Sequence, residues 1–415
     1  MLVPLISAVA GECGGKAGGL GALLRAGLPV PGGFVVPFAA YRDAVRELKD
    51  PDAARRAIES RPLDPAVAEE LARALEELGD PPVAVRSSAS DEDTGQVSAA
   101  GQHESFLAVR GTADVADAVR ACWASLLAPR ALAYRDATGH GRPSGGPAMA
   151  VIVQRQVDAD VSGVMFTATG PSEETRIEAS WGLGPSVVGG TVTPDAYRIA
   201  GDGSVEQTIA SKRTRLDRQG GRLVARDVPA PDRDRPALDA ATAVELAGLG
   251  TKIAEVRGGP QDVEWAIAGG RVWILQARSI TAALPSRAPG EVQAALAGTP
   301  GSRGTVTGPA RIVRGPGDFA RVRPGDILVC PFTDPAWTPL LRVAAGVVTE
   351  VGGVLSHAAI VAREHGIPAV LGVEKATGRL RDGAAVTLDG TAGTITVIRE
   401  EKGGGAARPP RPSRP

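Results

Sequence analysis

Four places along the chain combine residue types that can handle phosphate or a metal ion. The stretch GGKAGGLGALLRAGLPVPGGF (14–34) sets Lys16 between glycine pairs ahead of a helical pattern, where exposed N–H groups and a mobile ammonium could hold an anion. It is not a Walker loop, because position 10 is Ala and Ala17 follows Lys16. A dinucleotide fingerprint fails as well: Gly19-Leu-Gly21 runs on to Leu24, and Gly182-Leu-Gly184 to Val187. Arg86 closes the run VAVR and is followed by serines and an acidic, glycine-bearing loop. A guanidinium fork matches phosphate oxygens; a salt-bridged arginine beside a solvated loop is the plainer alternative. In DVEWAIAGGRVWILQARSI (262–280), Glu264 and Gln276 fall on facing strands of one hairpin. Their oxygens could share a hard divalent cation or simply pair across the strands, and Arg278 follows on the same face. The fourth place is VGGVLSHAAIVAREHGIPAV (351–370), where His357 stands behind Gly352-Gly353 and Ser356, a good N-cap, and opens an amphipathic helix.

The elements that must position these groups are legible from periodicity. Apolar residues at three- and four-residue spacing (Leu63, Val67, Leu71, Leu75, Leu78) predict a helix from Tyr41 to Leu78, and a second is expected from Val115 to Ala137. Short β-type runs start at 83, 105, 148, 162 and 175. A helix from Leu238 to Arg257 leads into two strands joined by Gly269-Gly270, a hairpin signal. Residues 282–298 lose the alternation and read as a linker. From Thr299 to Ile398 short strands resume, with one helix after His357, as a second domain of α/β (α+β) type; residues 399–415 carry Gly, Pro and Arg without apolar content and are expected to be disordered.

Composition narrows the classes. The chain has 415 residues, which suits two or three domains. With 46 Lys plus Arg against 47 Asp plus Glu, nothing in the overall charge invites nucleic acid. The three cysteines (Cys13, Cys122, Cys330) are scattered and in no CxxC spacing, which argues against a disulfide framework or a zinc knuckle. Apolar stretches are broken well short of about 18 residues, and Met1 to Ala10 lacks a basic leader, so the expectation is a soluble cytoplasmic protein without a membrane partner. His365 lies eight residues beyond His357, too far round a helix for a shared metal, and is read as structural; His103 and His140 are read as surface residues.

Taken in order, GGKAGGL, VRSSASDED, GQHESFL, VDADVSGVMFTA, EASWGLG, DVEWA and LQARSIT resemble the ATP-grasp nucleotide-binding domain of phosphoenolpyruvate synthase, pyruvate phosphate dikinase and rifampin phosphotransferase. GDILVCPFTDPAWTPLL and VGGVLSHAAIVAREHGIPAVLG resemble the swivelling β/β/α phosphohistidine domain of the same enzymes. The resemblance implies an ATP-grasp domain over 1–281, a linker over 282–298 and a swivelling domain over 299–398. It further implies that Lys16, Arg86 and Arg278 grip the ATP phosphates, that Glu264 and Gln276 are Mg²⁺ ligands, and that Gln154-Arg155-Gln156-Val157 presents backbone groups to adenine. His357 would be the nucleophile: it is pyrophosphorylated by ATP, the terminal phosphate leaves, and the β-phosphoryl group stays on the imidazole for transfer. Physically, Gly352 and Gly353 would let a triphosphate approach closely, and a helix N-terminus favours anionic phosphoryl groups and disfavours imidazolium.

The pattern also departs from these enzymes. Neither the barrel of the synthases and dikinases nor the drug-binding domain of rifampin phosphotransferase is present, so the acceptor pocket is expected elsewhere. Leu355 stands where dikinases carry a regulatory threonine, Pro185 where relatives often have Glu, and Gln156 where many have Met. The first reading is therefore an ATP-dependent phosphotransferase acting on a small-molecule acceptor. The second is a phosphocarrier subunit serving a partner protein that supplies the acceptor site. The loop Thr333 to Thr338 either helps position the acceptor or is a packed turn around a buried tryptophan.

Overall fold

The structure, a computed structural model, describes residues 1–48, 50–90, 105–128, 146–170, 173–280 and 296–398. His103, His140, the acidic loop after Ser90, the last residues of the expected second helix, most of the expected linker and the tail all lie outside these residues.

Three large sheets, beside a two-stranded ribbon of Thr214–Gln219 and Arg222–Asp227, organise the described residues. A five-stranded antiparallel sheet runs in the order Val3–Pro4, Gly33–Val36, Met149–Arg155, Val83–Ala89, Ser105–Val109. A six-stranded antiparallel sheet runs Arg271–Ser279, Gln261–Ala268, Val161–Phe166, Thr175–Trp181, Asp195–Ile199, Val205–Thr208. Both contribute to one apolar core that includes Val83, Met149, Ile152, Ile177, Trp265 and Ile274. The third sheet has eight strands, all from residue 296 onward. Its centre, Thr305–Ile312, Ile327–Cys330, Gly346–Thr349 and Ala369–Leu371, is parallel; the last three of these strands are nearly continuous apolar runs that are buried throughout, as strands covered on both faces are.

Local signals explain most boundaries. Both glycines of the Gly269-Gly270 turn have positive φ (55° and 74°), the conformation that a tight hairpin between right-twisted strands requires. The helix Ala240–Arg257 starts at Asp239, whose side chain accepts from Thr242 N–H, and stops at Gly258 in the left-handed region.

Three expectations need correction. The helix expected from Tyr41 to Leu78 is three helices, Phe38–Val45, Pro51–Ser60 and Pro65–Glu77. Asp50-Pro51 and Asp64-Pro65 each supply an N-cap carboxylate and a first-turn proline, and a proline disfavours helical backbone in the residue before it. The glycine-rich Lys16 segment does not precede a helix but lies inside one, Ala10–Arg25, kinked at Gly14 (φ 82°). Finally, Leu296–Ala297, expected in the linker, pairs antiparallel with Thr394–Val397 and joins the eight-stranded sheet.

Candidate active site

One face of the six-stranded sheet carries the charged residues in rows. Gln276 pairs with Glu264, Glu264 with Val164, and Val164 with Glu178; in the next row Arg278 pairs with Asp262, Asp262 with Phe166, and Phe166 with Arg176. Because side chains two apart on a strand share a face, the two rows project to the same side. Arg86 reaches this face from the five-stranded sheet: one guanidinium nitrogen is 3.3 Å from Glu264 Oε2 and another 3.3 Å from the Leu275 carbonyl. Arg278 grips Asp262 Oδ2 through Nε at 2.8 Å and Nη2 at 2.7 Å. Burial pushes the Asp262 carboxyl up, although Arg278 pulls it the other way. Sequence reading missed Asp262; its position two residues before Glu264 was the available signal.

Lys16 falls in the turn after the kink at Gly14, where the helix restarts against the Arg86 strand. Ala17 N–H donates to Ser88 Oγ at 3.2 Å, and a Cβ on Gly14 would lie 2.3 Å from that hydroxyl, so only glycine fits. Lys16 and Arg86 are thus held on adjoining elements. In the expected adenine segment, Gln154 is interior to the sheet and donates its amide to the Pro31 carbonyl at 3.1 Å, while Arg155 N–H and Gln156 N–H donate to Gly32 and Pro82. Val157 packs with Ala159, Leu183, Leu216, Ala266 and Leu275, an apolar group beside the carbonyl that receives Arg86.

His357 opens the helix His357–Glu364 and is 6% exposed. Its Nδ1 is 2.9 Å from Thr333 Oγ1, and its Nε2 is 3.3 Å from Thr338 Oγ1. Burial pushes the imidazole down to about 4; Asp334 opposes this and Arg278 adds to it. The ring is therefore neutral near pH 7, and the guanidinium that adds to this belongs to the six-stranded sheet. Between Thr333 and Thr338, Trp337 is buried edge-on to Phe319 at 4.9 Å. The loop is the packed turn, and its two threonines hold the histidine, a role that the sequence reading did not assign. His365 ends the helix as its C-cap.

Two expectations about the approach to His357 fail. Ser356 occupies the N-cap position but makes no capping bond, and its buried Oγ has no hydrogen-bond partner. The space left by Gly353 is filled by protein: a Cβ there would lie 2.2–2.4 Å from the Glu178 carboxylate. Glu178 accepts Val354 N–H at 2.6 Å and Leu355 N–H at 3.2 Å, and it too was missed in the sequence.

Residues 10–295 match the family described as pyruvate phosphate dikinase, AMP/ATP-binding domain, and residues 322–393 match the PEP-utilising enzyme, mobile domain. The chain belongs to the pyruvate phosphate dikinase family. As in that family, an ATP-grasp nucleotide-binding fold precedes a mobile-domain fold. Among relatives of this dikinase family, the chain is 38% identical over 432 residues to a probable phosphoenolpyruvate synthase of Methanothermobacter thermautotrophicus, a match covering 94% of the chain and 63% of the relative. It is 37% identical over 430 residues to one from Archaeoglobus fulgidus (94% and 57%), and 35% identical over 487 residues to the phosphoenolpyruvate synthase of Aeropyrum pernix (98% and 58%). The chain spans about three-fifths of the length of these relatives. Among the described residues of this family member, no helix is long and apolar enough to cross a membrane.

Proposed function

We propose that this chain is an ATP-dependent, dikinase-type phosphotransferase that charges His357 and passes the phosphoryl group to a small-molecule acceptor. In this reading residues 1–281 bind ATP and residues 299–398 form the travelling domain. The observation that carries it is the buried imidazole of His357 at the start of its helix, held at both ring nitrogens by Thr333 and Thr338.

We assign the proton to Nδ1, with Thr333 Oγ1 accepting it, which leaves the Nε2 lone pair for attack on the β-phosphorus once the longer contact to Thr338 is given up. The bond from the β-phosphorus to the α–β bridging oxygen breaks and AMP departs; water then cleaves the terminal phosphate, leaving the β-phosphoryl group on His357. Lys16, Arg86 and Arg278 supply positive charge along the triphosphate, and the apolar group around Val157 suits a purine face. Glu264 and Gln276 fit a divalent cation: they are hard oxygen donors, directly paired and on one face, with Glu264 in a 3.3 Å contact to Arg86. Mg²⁺ held there would neutralise charge on the β- and γ-phosphates.

The test is incubation of the purified chain with ATP labelled in the β-phosphate. The expected product is an acid-labile, base-stable label on the His357 peptide, with one AMP and one phosphate per label. His357→Ala is expected to abolish AMP formation while ATP binding stays within about twofold. AMP formation by the variant at the wild-type rate would remove His357 from the chemistry.

A further inference from the structure

The phosphoryl chemistry leaves the Glu178 carboxylate without a role. It is 3% exposed, and the two N–H groups that it accepts belong to the loop just ahead of His357. Leu355 of that loop is buried with Val164, Phe166, Val187 and Val192 of the nucleotide-side unit. From the other direction, Arg363 on the His357 helix donates to the Val354 carbonyl at 2.7 Å and the Gly301 carbonyl at 2.9 Å, fixing the loop's shape. Gly353 alone permits the approach, since its three nearest would-be Cβ contacts are all Glu178 atoms.

We propose that Glu178 is a docking latch, a positioning residue that seats the loop before His357 on the ATP-site face and releases it when the travelling domain departs. This rests on the function proposed above. When the loop leaves, the carboxylate and both N–H groups meet water, so release strands no buried polar group. A fastening buried within one domain would lack that property.

The latch also carries a proton balance. In the docked state burial pushes Glu178 up to about 7, opposed by its two N–H donors and by Arg363 and Arg176, while His357 is pushed down to about 4. The other charged groups are Arg198, Glu174 and Glu173 beside Arg176, Asp262 and Glu364 beside Arg363, and Asp334 and Arg278 beside His357. Undocked and hydrated, the two groups return to their ordinary values near 4.5 and 6.5. A raised carboxyl makes docking weaken as pH rises from about 4.5 to 7; a depressed imidazole makes docking weaken as pH falls from about 6.5 to 4. Over the shared window, 4.5 to 6.5, docking moves one proton from His357 to Glu178 and takes up none from solution. The nucleophile thus enters neutral with little net pH dependence.

The test reads docking directly, as the rate of His357 ethoxyformylation by diethylpyrocarbonate, followed by peptide mass on the full chain without nucleotide. Wild type is expected to be protected with little change in docking between pH 5 and 6.5, after correction for the intrinsic ionisation of imidazole. Glu178→Gln is expected to react at least tenfold faster at pH 7, and its docking constant to weaken by up to tenfold per pH unit below 6.5, because only the His357 term remains. Gly353→Ala, which leaves Glu178 intact, is expected to mimic the loss, whereas in a Glu178→Ala background it adds nothing. Retained ATP binding establishes that each variant is folded. Equal reactivity of wild type and both single variants, or additive effects in the double variant, overturns the latch. Failure of wild type to take label from ATP would instead sink the proposed function, with the protection result still standing.

Discussion

Two carboxylates buried in the same sheet, on neighbouring strands, meet opposite fates. Glu178 is registered against Ala196 and Asp195 against Ala179, so they sit one step apart and project to opposite faces. Asp195 faces its own domain and is surrounded by it. Its oxygens take Lys212 Nζ at 2.6 Å, Ala210 N–H at 2.8 Å, Ala237 N–H at 2.7 Å and the Tyr197 hydroxyl at 3.4 Å, and both Asp195 and Lys212 are fully buried. Glu178 faces the other domain and takes two of its backbone N–H groups. The difference teaches that burial of charge does not by itself make a strut. In the latch reading, what decides is whether the partners would remain if the two domains parted.

The largest effect should therefore come from Asp195's partner and not from Glu178. Lys212→Met leaves a fully buried carboxylate without its cation and is expected to cost about 3–5 kcal/mol in urea unfolding of the full chain. Glu178→Gln is expected to cost about 1 kcal/mol at most in the same measurement, since its donors are hydrated on undocking. Equal losses from the two substitutions would erase the distinction between strut and latch.

The next effect lies within the docked site. Thr333→Val keeps the shape of the side chain but removes the partner of Nδ1, leaving a buried ring nitrogen unsatisfied at about 1–3 kcal/mol. Single-turnover charging of His357 is expected to slow roughly ten- to hundredfold, with ATP affinity unchanged. A rise in the ATP dissociation constant instead would place Thr333 on the nucleotide side of the boundary.

What was legible in the sequence and what was not divides along the same line. Glu264 and Gln276 were read as facing residues of one hairpin, and they are directly paired, but the two-glycine turn alone would set Glu264 against Leu275; a bulge between Glu264 and Trp265 shifts the register by one and brings Gln276 opposite. His357 was read at a helix start from its flanking residues, and it is there. The three-helix segment was also signposted, by Asp50-Pro51 and Asp64-Pro65, but apolar spacing alone was followed across both prolines. Glu178 left no such trace. Its donors are backbone groups 176 and 177 residues away, which any residue type at 354 and 355 would supply. Similarly, Thr333 and Thr338 are tied to His357 only by the parallel strands and short turns that bring residues 19 and 24 positions apart together.

Thr338 provides the smallest and most discriminating test of which ring nitrogen reacts. A neutral imidazole has one N–H and one lone pair. If the Nδ1 proton is donated to Thr333, the Thr338 hydroxyl must donate to the lone pair on Nε2, and that contact has to break before attack. At 3.3 Å it is long for an O–H donor, so little is lost by removing it. Thr338→Val is accordingly expected to leave charging unchanged or up to about threefold faster, in contrast to Thr333→Val. A slowdown as large as that of Thr333→Val would mean that Thr338 orients the ring and that the nucleophilic lone pair lies on Nδ1.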